Sequence, residues 1–412
     1  MSSVLPCTYY SGQHPISVNN IDPDALDIIR QLNHAGFIAY LVGGSVRDLI
    51  KGMNPKDYDI ATSATPEQTK AIFRKRCLLI GRRFRLAHVR YGEKVFEVST
   101  FRAGDNEDNR LIVRDNKWGT PEEDVARRDF TINALFYDLA TQTVIDYTGG
   151  YEDVLKGCLR TIGDPVVRFQ QDPVRMIRLL KFKARFGFEI EPSTFEALIS
   201  CRQDILKSAS ARLLEEMCRM MESSVSAVFF KLMAQTGLLE LLQPEIDAFL
   251  KADVGPLMYL YWEAADKVTS EKKITIDRSV LVCCSLFPMI DELLKRRYVN
   301  KNVIPSFTQI QSLIQEVVRR VIVDTFVYFP NRIRFLAIFI LESQYRLQPY
   351  SGDRHKYKKI IDHPDFLYAL QFFYLRTLIN PDYKNVYATW KRWWQAAQGE
   401  KKRRRDKRVR RD

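Results

Sequence analysis

The chain of 412 residues is too long for one small module, and its 46% hydrophobic and 27% charged content is that of a folded globular protein rather than a disordered one. No run approaches the roughly 18 apolar residues of a membrane-spanning helix, residues 1–15 lack a basic start followed by an apolar stretch, and seven cysteines without a C-x-x-C pair fit reduced thiols rather than a disulfide framework or zinc site. A cytoplasmic address is therefore expected, with no membrane and no disulfide partner, and the net charge of +13 favours a polyanionic partner.

Residues 23–35 read as an amphipathic helix, 37–42 as a strand, a short helix follows from Ser45, and 57–60 read as a strand before a helix opening at Thr65-Pro66-Glu67. Three short runs rich in β-formers, 78–80, 86–90 and 94–100, are separated by glycine turns. Residues 102–120 are polar and pattern-poor and predict a mobile loop; 124–139 read as a helix, and a last strand at 144–147 ends at Gly149-Gly150. Beyond residue 148 the periodicity is helical, over 173–186, 193–200, 211–221 and 227–242, and then through aromatic-rich segments punctuated by proline. The expected fold is α+β: a head over 20–148 with a small mixed sheet flanked by helices, an all-α neck over 149–245, a helical body over 246–398, and a basic tail over 399–412, disordered when unbound. Nine Lys or Arg against two Asp stand in residues 401–412, among them Lys401, Lys402, Arg403, Arg404 and Arg405.

Several short constellations carry chemistry. Gly43-Gly44 lies between an apolar run and a helix, where backbone amides can receive phosphate; Arg47 can pair with its oxygens and Asp48 can orient the turn. Alone, two glycines are usually a plain turn. Asp57 and Asp59, two apart on an extended segment, offer two carboxylates to one site and suit a hard divalent cation. Glu97 alternates with Val95 and Ser99 on one face of its strand, although a surface glutamate on an edge strand would look the same. In the run Arg127-Arg128-Asp129-Phe130-Thr131-Ile132-Asn133, Asp129 and Asn133 fall four apart on one face of the expected helix, with Arg128 suited to phosphate. Asp172 and Arg175, three apart at a helix start, can imitate a base-pair edge, accepting from an amino group and donating to a ring acceptor; Arg178 continues the basic side. Arg82, Arg83 and Arg85, with Phe84 between them and His88 beyond, suit phosphate tracking and base stacking. No GxxxxGK[S/T] or GxGxxG pattern points to a P-loop or a dinucleotide fold.

The order LVGGSVRDLIKGMNPKDYDI, VARRDFTINALFYDL, DYTGG and QDPVRMIRLLKFKARFGF resembles the class II RNA nucleotidyltransferases, which include tRNA CCA-adding enzymes and bacterial poly(A) polymerases. The segment from Leu79 to Val89 is similar to that of the poly(A) polymerase branch. The resemblance implies a nucleotidyltransferase head and template-independent transfer of AMP from ATP to an RNA 3′ end. It implies a two-metal Mg²⁺ site, with Mn²⁺ as a possible substitute, on Asp57, Asp59 and Glu97. Asp129 would belong to the catalytic set, and Gly43, Gly44, Arg47, Asp48, Arg128, Asn133, Asp172, Arg175 and Arg178 would bind nucleotide. Arg82, Arg83, Arg85 and the basic tail would contact RNA; protein partners are not indicated. Gln171 stands where relatives usually carry Glu, which bears on any ion pair bracing the recognition helix. CCA addition shares the same nucleotide site, and a non-catalytic RNA-binding protein on this scaffold is the rival of another class.

Overall fold

The structure, a computed structural model, describes residues 6–81, 86–103, 117–272, 274–326, 329–347 and 357–409, the side chains of 401–409 excepted. It forms two compact units, Met1–Asp204 and Ile205–Asp412. The first contains strands β1 (Cys7–Tyr9), β2 (Ala39–Val42), β3 (Asp59–Thr62), β4 (Cys77–Ile80), β5 (Leu86–Tyr91), β6 (Lys94–Thr100), β7 (Arg102–Ala103), β8 (Lys117–Trp118), β9 (Leu135–Asp138) and β10 (Thr143–Asp146). Eight of them make one mixed sheet in the order β1-β10-β9-β2-β3-β6-β5-β4, in which β3 and β6 pair parallel and all other neighbours antiparallel. Helices α1 (Pro23–His34), α2 (Gly44–Ile50), α3 (Pro66–Phe73), α4 (Pro121–Ala126), α5 (Gly150–Lys156), α6 (Pro165–Gln171), α7 (Val174–Phe186) and α8 (Pro192–Cys201) also belong to this unit, as does a short parallel strand pair, Cys158–Leu159 with Glu189–Ile190, inside the span expected to be all-α. Local sequence explains their starts: Asp22 caps α1, and Thr65 with Gln68 and Thr120 with Glu123 form capping boxes for α3 and α4, each with proline in the first turn.

Two expectations about this unit are corrected, the helix over 124–139 and the loop over 102–120. Residues 124–139 are not a helix: α4 stops at Ala126, Thr131–Asn133 is a single 3₁₀ turn, and Leu135–Asp138 is β9. Leu135, Phe136 and Tyr137 are all fully buried, so this interior strand presents a continuous apolar run that periodicity does not separate from a buried helix. The mixed sheet flanked by helices is the one expected, and β1 and β9 also join it. Of 102–120, the described ends pair as β7 and β8, Arg102 opposite Trp118; residues 104–116 lie outside the described residues. The tight packing after β10 depends on Gly150, where a Cβ would lie 2.1 Å from the Thr131 carbonyl oxygen. Asp146 caps this turn, accepting from the amides of Thr148, Gly150 and Tyr151.

The second unit is helical: α9 (Ser210–Met221), α10 (Ser226–Gln235), α11 (Leu238–Leu242), α12 (Pro244–Leu250), α13 (Pro256–Lys272), α14 (Arg278–Arg297), α15 (Phe307–Val318), α16 (Asn331–Arg346), α17 (Lys358–Ile361), α18 (Phe366–Ile379) and α19 (Lys384–Val409). The single helix expected over 227–242 is broken at Gly237, whose φ of +75° starts α11. Phe230 stacks on Trp262 at 4.1 Å, and Trp390 is fully buried against Phe366, Leu370 and Phe373. Arg278 is clamped by Glu215 and Glu222 at 2.6–3.2 Å. The basic run expected to be disordered from 399 instead continues α19 to Val409, consistent with the good helix propensity of Lys and Arg. All seven cysteines are free, and among the described residues no helix is long and apolar enough to cross a membrane.

Candidate active site

The sheet brings the separated motifs to one end. Val42, the last residue of β2, is the register partner of Asp59 on β3 and of Phe136 on β9. The chain then turns at Gly43, with φ +70°, its amide donating to the Leu135 carbonyl at 3.1 Å, and α2 begins at Gly44. A Cβ on Gly43 would sit 3.4 Å from Arg128 Nη1 and 3.5 Å from the Asn133 carbonyl oxygen, so glycine lets the 127–133 segment close against the turn.

β6 lies between β3 and β5 rather than at an edge, and its parallel register with β3 sets Ile60 opposite Val98. One step earlier brings Asp59 beside Glu97, with Asp57 just ahead of the strand. All three acids are exposed, while Phe96, Val98 and Thr100 on the opposite face of β6 are buried, following the alternation read from sequence. Among the described residues none of the three carboxylates makes an ion pair or hydrogen bond. Although Asp59 is accessible, the protein around it raises its carboxyl to about 6; repulsion from Glu97 adds to this, Arg128 opposes it, and Asp57 adds a smaller push. The oxygen-only donors and their mutual repulsion fit a hard divalent cation. The described side chains do not themselves converge: no group of three or more His, Cys, Asp or Glu is drawn together closely enough to hold a metal.

Beside the acids stands a group of arginines that sequence reading largely missed. Burial lowers Arg127 to about 9, and Arg102, Arg128, Arg175 and Arg168 press it further in that order. Arg168 is lowered to about 10 by burial and by Arg175, against the pull of Asp129 and Asp172. Arg127 was visible as half of an Arg-Arg doublet; Arg102 and Arg168 had no local signal. Arg128 is held by Asp124 at 2.8 and 3.1 Å and donates to the Asn133 carbonyl at 3.3 Å.

Asp129 and Asn133 meet, although through a turn instead of a helix: Asp129 Oδ1 accepts from Asn133 Nδ2 at 3.1 Å and from the Phe130 amide at 2.8 Å, and Oδ2 lies 4.0 Å from Arg178. Arg47 is placed differently from its expected outward reach. Only 3% exposed, it donates to Asp48 at 2.7 and 2.9 Å and to Asn133 Oδ1 at 2.5 Å, and packs 4.2 Å over the Phe186 ring. Arg175 is also turned inward: buried on α7, it donates to the Arg168 carbonyl at 3.0 Å and the Arg127 carbonyl at 3.1 Å, while Asp172 forms the end of α6. Gln171 accepts from Arg168 at 3.2 Å, so a neutral acceptor occupies the position where an ion pair was in question. Arg82, Arg83 and Arg85 lie outside the described residues; His88 stands directly opposite Glu97 on β5. Lys401, Lys402, Arg403, Arg404 and Arg405 fall on the backbone of α19.

With this geometry in place, comparison with known proteins is direct. The family model described as "Poly A polymerase head domain" matches residues 39–160, "Probable RNA and SrmB- binding site of polymerase A" matches 187–250, and "Polymerase A arginine-rich C-terminus" matches 304–412. Poly(A) polymerase I of Escherichia coli O6:H1 is 43% identical over 248 residues, covering 58% of this chain and 53% of the relative. The Haemophilus influenzae poly(A) polymerase I is 40% identical over 249 residues, with 58% and 55% covered. The CCA-adding enzyme of Geobacillus thermodenitrificans is 40% identical over 215 residues, with 52% and 53% covered. The chain thus spans about half the length of these curated relatives. Among solved structures, the Bacillus stearothermophilus CCA-adding enzyme in complex with CTP superposes with a TM-score of 0.63 at 25% identity, covering 91% of this chain and 83% of the other. The three family matches in order along the chain, together with these relatives, place it: the protein belongs to the tRNA nucleotidyltransferase and poly(A) polymerase family.

Proposed function

We propose that the protein is a template-independent polynucleotide adenylyltransferase, adding AMP from ATP to an RNA 3′ end and releasing pyrophosphate. The observation that carries this reading is the juxtaposition of three carboxylates without partners among the described residues and a set of mutually repelling arginines around Arg127. Acids in such a group are relieved by a cation, and the arginines by an anion; a nucleoside triphosphate with its divalent ions supplies both.

Asp57, Asp59 and Glu97 would hold Mg²⁺, or Mn²⁺ in its place. Such a pair of ions, when bound, supplies activation of an attacking hydroxyl and neutralisation of a departing phosphate. Arg127 and Arg128 receive triphosphate oxygens beside the amide of Gly44 at the start of α2, while the Gly43 amide holds the turn to β9. Asp129 sets Asn133 and Arg178 in place, while Arg47 and Asp48 support the turn from beneath. Asp172 accepts from the adenine amino group. On α7, Arg178 is the more accessible donor, because Arg175 is committed to main-chain carbonyls. RNA contact is assigned to Arg82, Arg83, Arg85 and the basic end of α19, and a cytoplasmic location follows from the reading of reduced cysteines.

Poly(A) addition is favoured over CCA addition by the longer and slightly closer match to poly(A) polymerases, 43% over 248 residues against 40% over 215. CCA addition remains the second reading because of the fold match to a CCA-adding enzyme. Sequencing the products made from RNA, all four NTPs and Mg²⁺ tests the choice. Long A tails are expected; growth that stops after C, C and A would establish the second reading. Tight RNA binding without incorporation would indicate a binding protein instead. Asp57→Ala, folded by circular dichroism, should lose incorporation, and single-turnover activity in that variant would refute the site.

A further inference from the structure

In the second unit, α13, α18 and α19 enclose a cavity of about 260 Å³ that the reaction does not use. Aliphatic side chains make much of its wall, and the rings of Tyr374, Tyr387 and Trp394 add flat faces; Tyr374 and Tyr387 lie 5.3 Å apart. Lys272 and Lys391 also line it, and no carboxylate is among its described lining residues. Lys272 Nζ is 2.5 Å from the Tyr374 hydroxyl and 4.1 Å from that ring's centroid. The side-chain oxygen of Gln371 is buried without a hydrogen-bond partner among the described residues.

These features select among ligand classes. An aliphatic ligand would leave the Gln371 oxygen unsatisfied and gain nothing from the two ammonium groups. An acidic peptide would use the lysines but has no need of flat walls. A nucleotide uses everything present: base against ring, base amino group to amide oxygen, phosphates to lysine. The volume, just below the ordinary range of roughly 300–1,000 Å³ for small-molecule sites, matches a single nucleotide more than a longer segment.

We infer that this cavity is an RNA subsite that takes one unpaired nucleotide, its exocyclic amino group donating to Gln371 Oε1 once that side chain turns its oxygen toward the base, and its flanking phosphates meeting Lys272 and Lys391. The inference rests on the adenylyltransferase reading, since an A tail presents an amino donor at every position.

Binding of fluorescent oligo(A) and oligo(U), followed by anisotropy in the intact protein without NTPs, tests it. Oligo(A) should bind more tightly, and Gln371→Leu should erase that preference. Trp394→Ala should weaken oligo(A) binding by roughly five- to one-hundred-fold, with Trp394→Phe recovering most of the loss. In the unmodified protein, oligo(A) should protect Lys272 and Lys391 from acetylation, read by mass spectrometry. Unchanged labelling of both lysines, or an A preference that survives Gln371→Leu, overturns the inference. These readouts are independent of the product: long A tails with no protection would reject only the subsite, whereas growth stopping at CCA would reject the reading on which it rests.

Discussion

Replacing Arg175 by Met separates a brace from a base reader. Its guanidinium contributes two charge-assisted bonds to main-chain carbonyls, each worth about 1.5–3 kcal/mol in a buried setting. The Arg168 carbonyl would keep its bond from the Asp172 amide, so the Arg127 carbonyl bears most of the loss. Against this stands relief of repulsion. Arg175 ranks behind burial, Arg102 and Arg128 among the causes lowering Arg127 to about 9, and next after burial among those lowering Arg168 to about 10, which makes its relief on the order of 1 kcal/mol in all. The bonds win, and Arg175→Met should destabilise the first unit by about 2 kcal/mol. Arg175→Lys, with one ammonium in place of a two-pronged group, should lose about half as much. Urea-dependent hydrogen exchange of α6 and α7 measures the effect. Wild-type protection in Arg175→Met, accompanied by altered nucleotide preference, would refute the reasoning, because it would mean that the side chain leaves its carbonyls to read the base.

Asp59→Asn should reduce incorporation by several orders of magnitude yet raise stability in chelator by about 1 kcal/mol at pH 8, a figure kept small because the residue is exposed. The sign follows from a carboxyl raised to about 6: charging it costs the folded state above that pH and ceases to as pH falls through it, so thermal melts of the two proteins should converge by pH 4. Mg²⁺ at ten times its Kd should add about 1.4 kcal/mol to the wild type and much less to this variant, as differential scanning calorimetry would record. Gly43→Ala should cost about 1–2 kcal/mol, from φ +70° and from a methyl 3.4 Å from Arg128, and should raise KM for ATP more than it lowers kcat; an unchanged KM would detach the turn from the triphosphate. Deleting residues 401–412 should weaken RNA binding uniformly across sequences and flatten its dependence on salt, measured by anisotropy at several KCl concentrations.

The readable parts of the sequence were those in which local pattern and tertiary role agree. Alternation in 94–100 gave both the strand and the exposed face of Glu97, and proline with a capping residue marked the starts of α1 and α3. The segment 124–139 misled because its end is buried on both sides, so its apolar residues carry no period, and because Asp129 and Asn133 fall four apart in a turn as readily as in a helix. The surroundings of Arg47 and Arg175 are not legible locally: residue type suggests a phosphate or base ligand, and only the packing of Phe182 and Phe186, and the position of the Arg127 and Arg168 carbonyls, reveals the internal partners of their donors. The gathering of Arg102, Arg127, Arg168 and Arg175 requires four separate segments to meet, and no local window contains it.

That gathering bears on why the site is built from inward-facing and outward-facing charges of both signs. Asp59 and the Arg127 group are each held in an electrostatically unfavourable state, and direct pairing between them would relieve both. Asp59 and Glu97 are fixed on neighbouring strands, while Arg128 is paired with Asp124 and the Arg127 carbonyl accepts from Arg175. Across the gap, Arg128 acts on Asp59 and Arg102 on Glu97. Burial and repulsion at Asp59 and at Arg127 are costs that a ligand bringing cation and polyphosphate together would reduce, which turns stability forgone there into affinity.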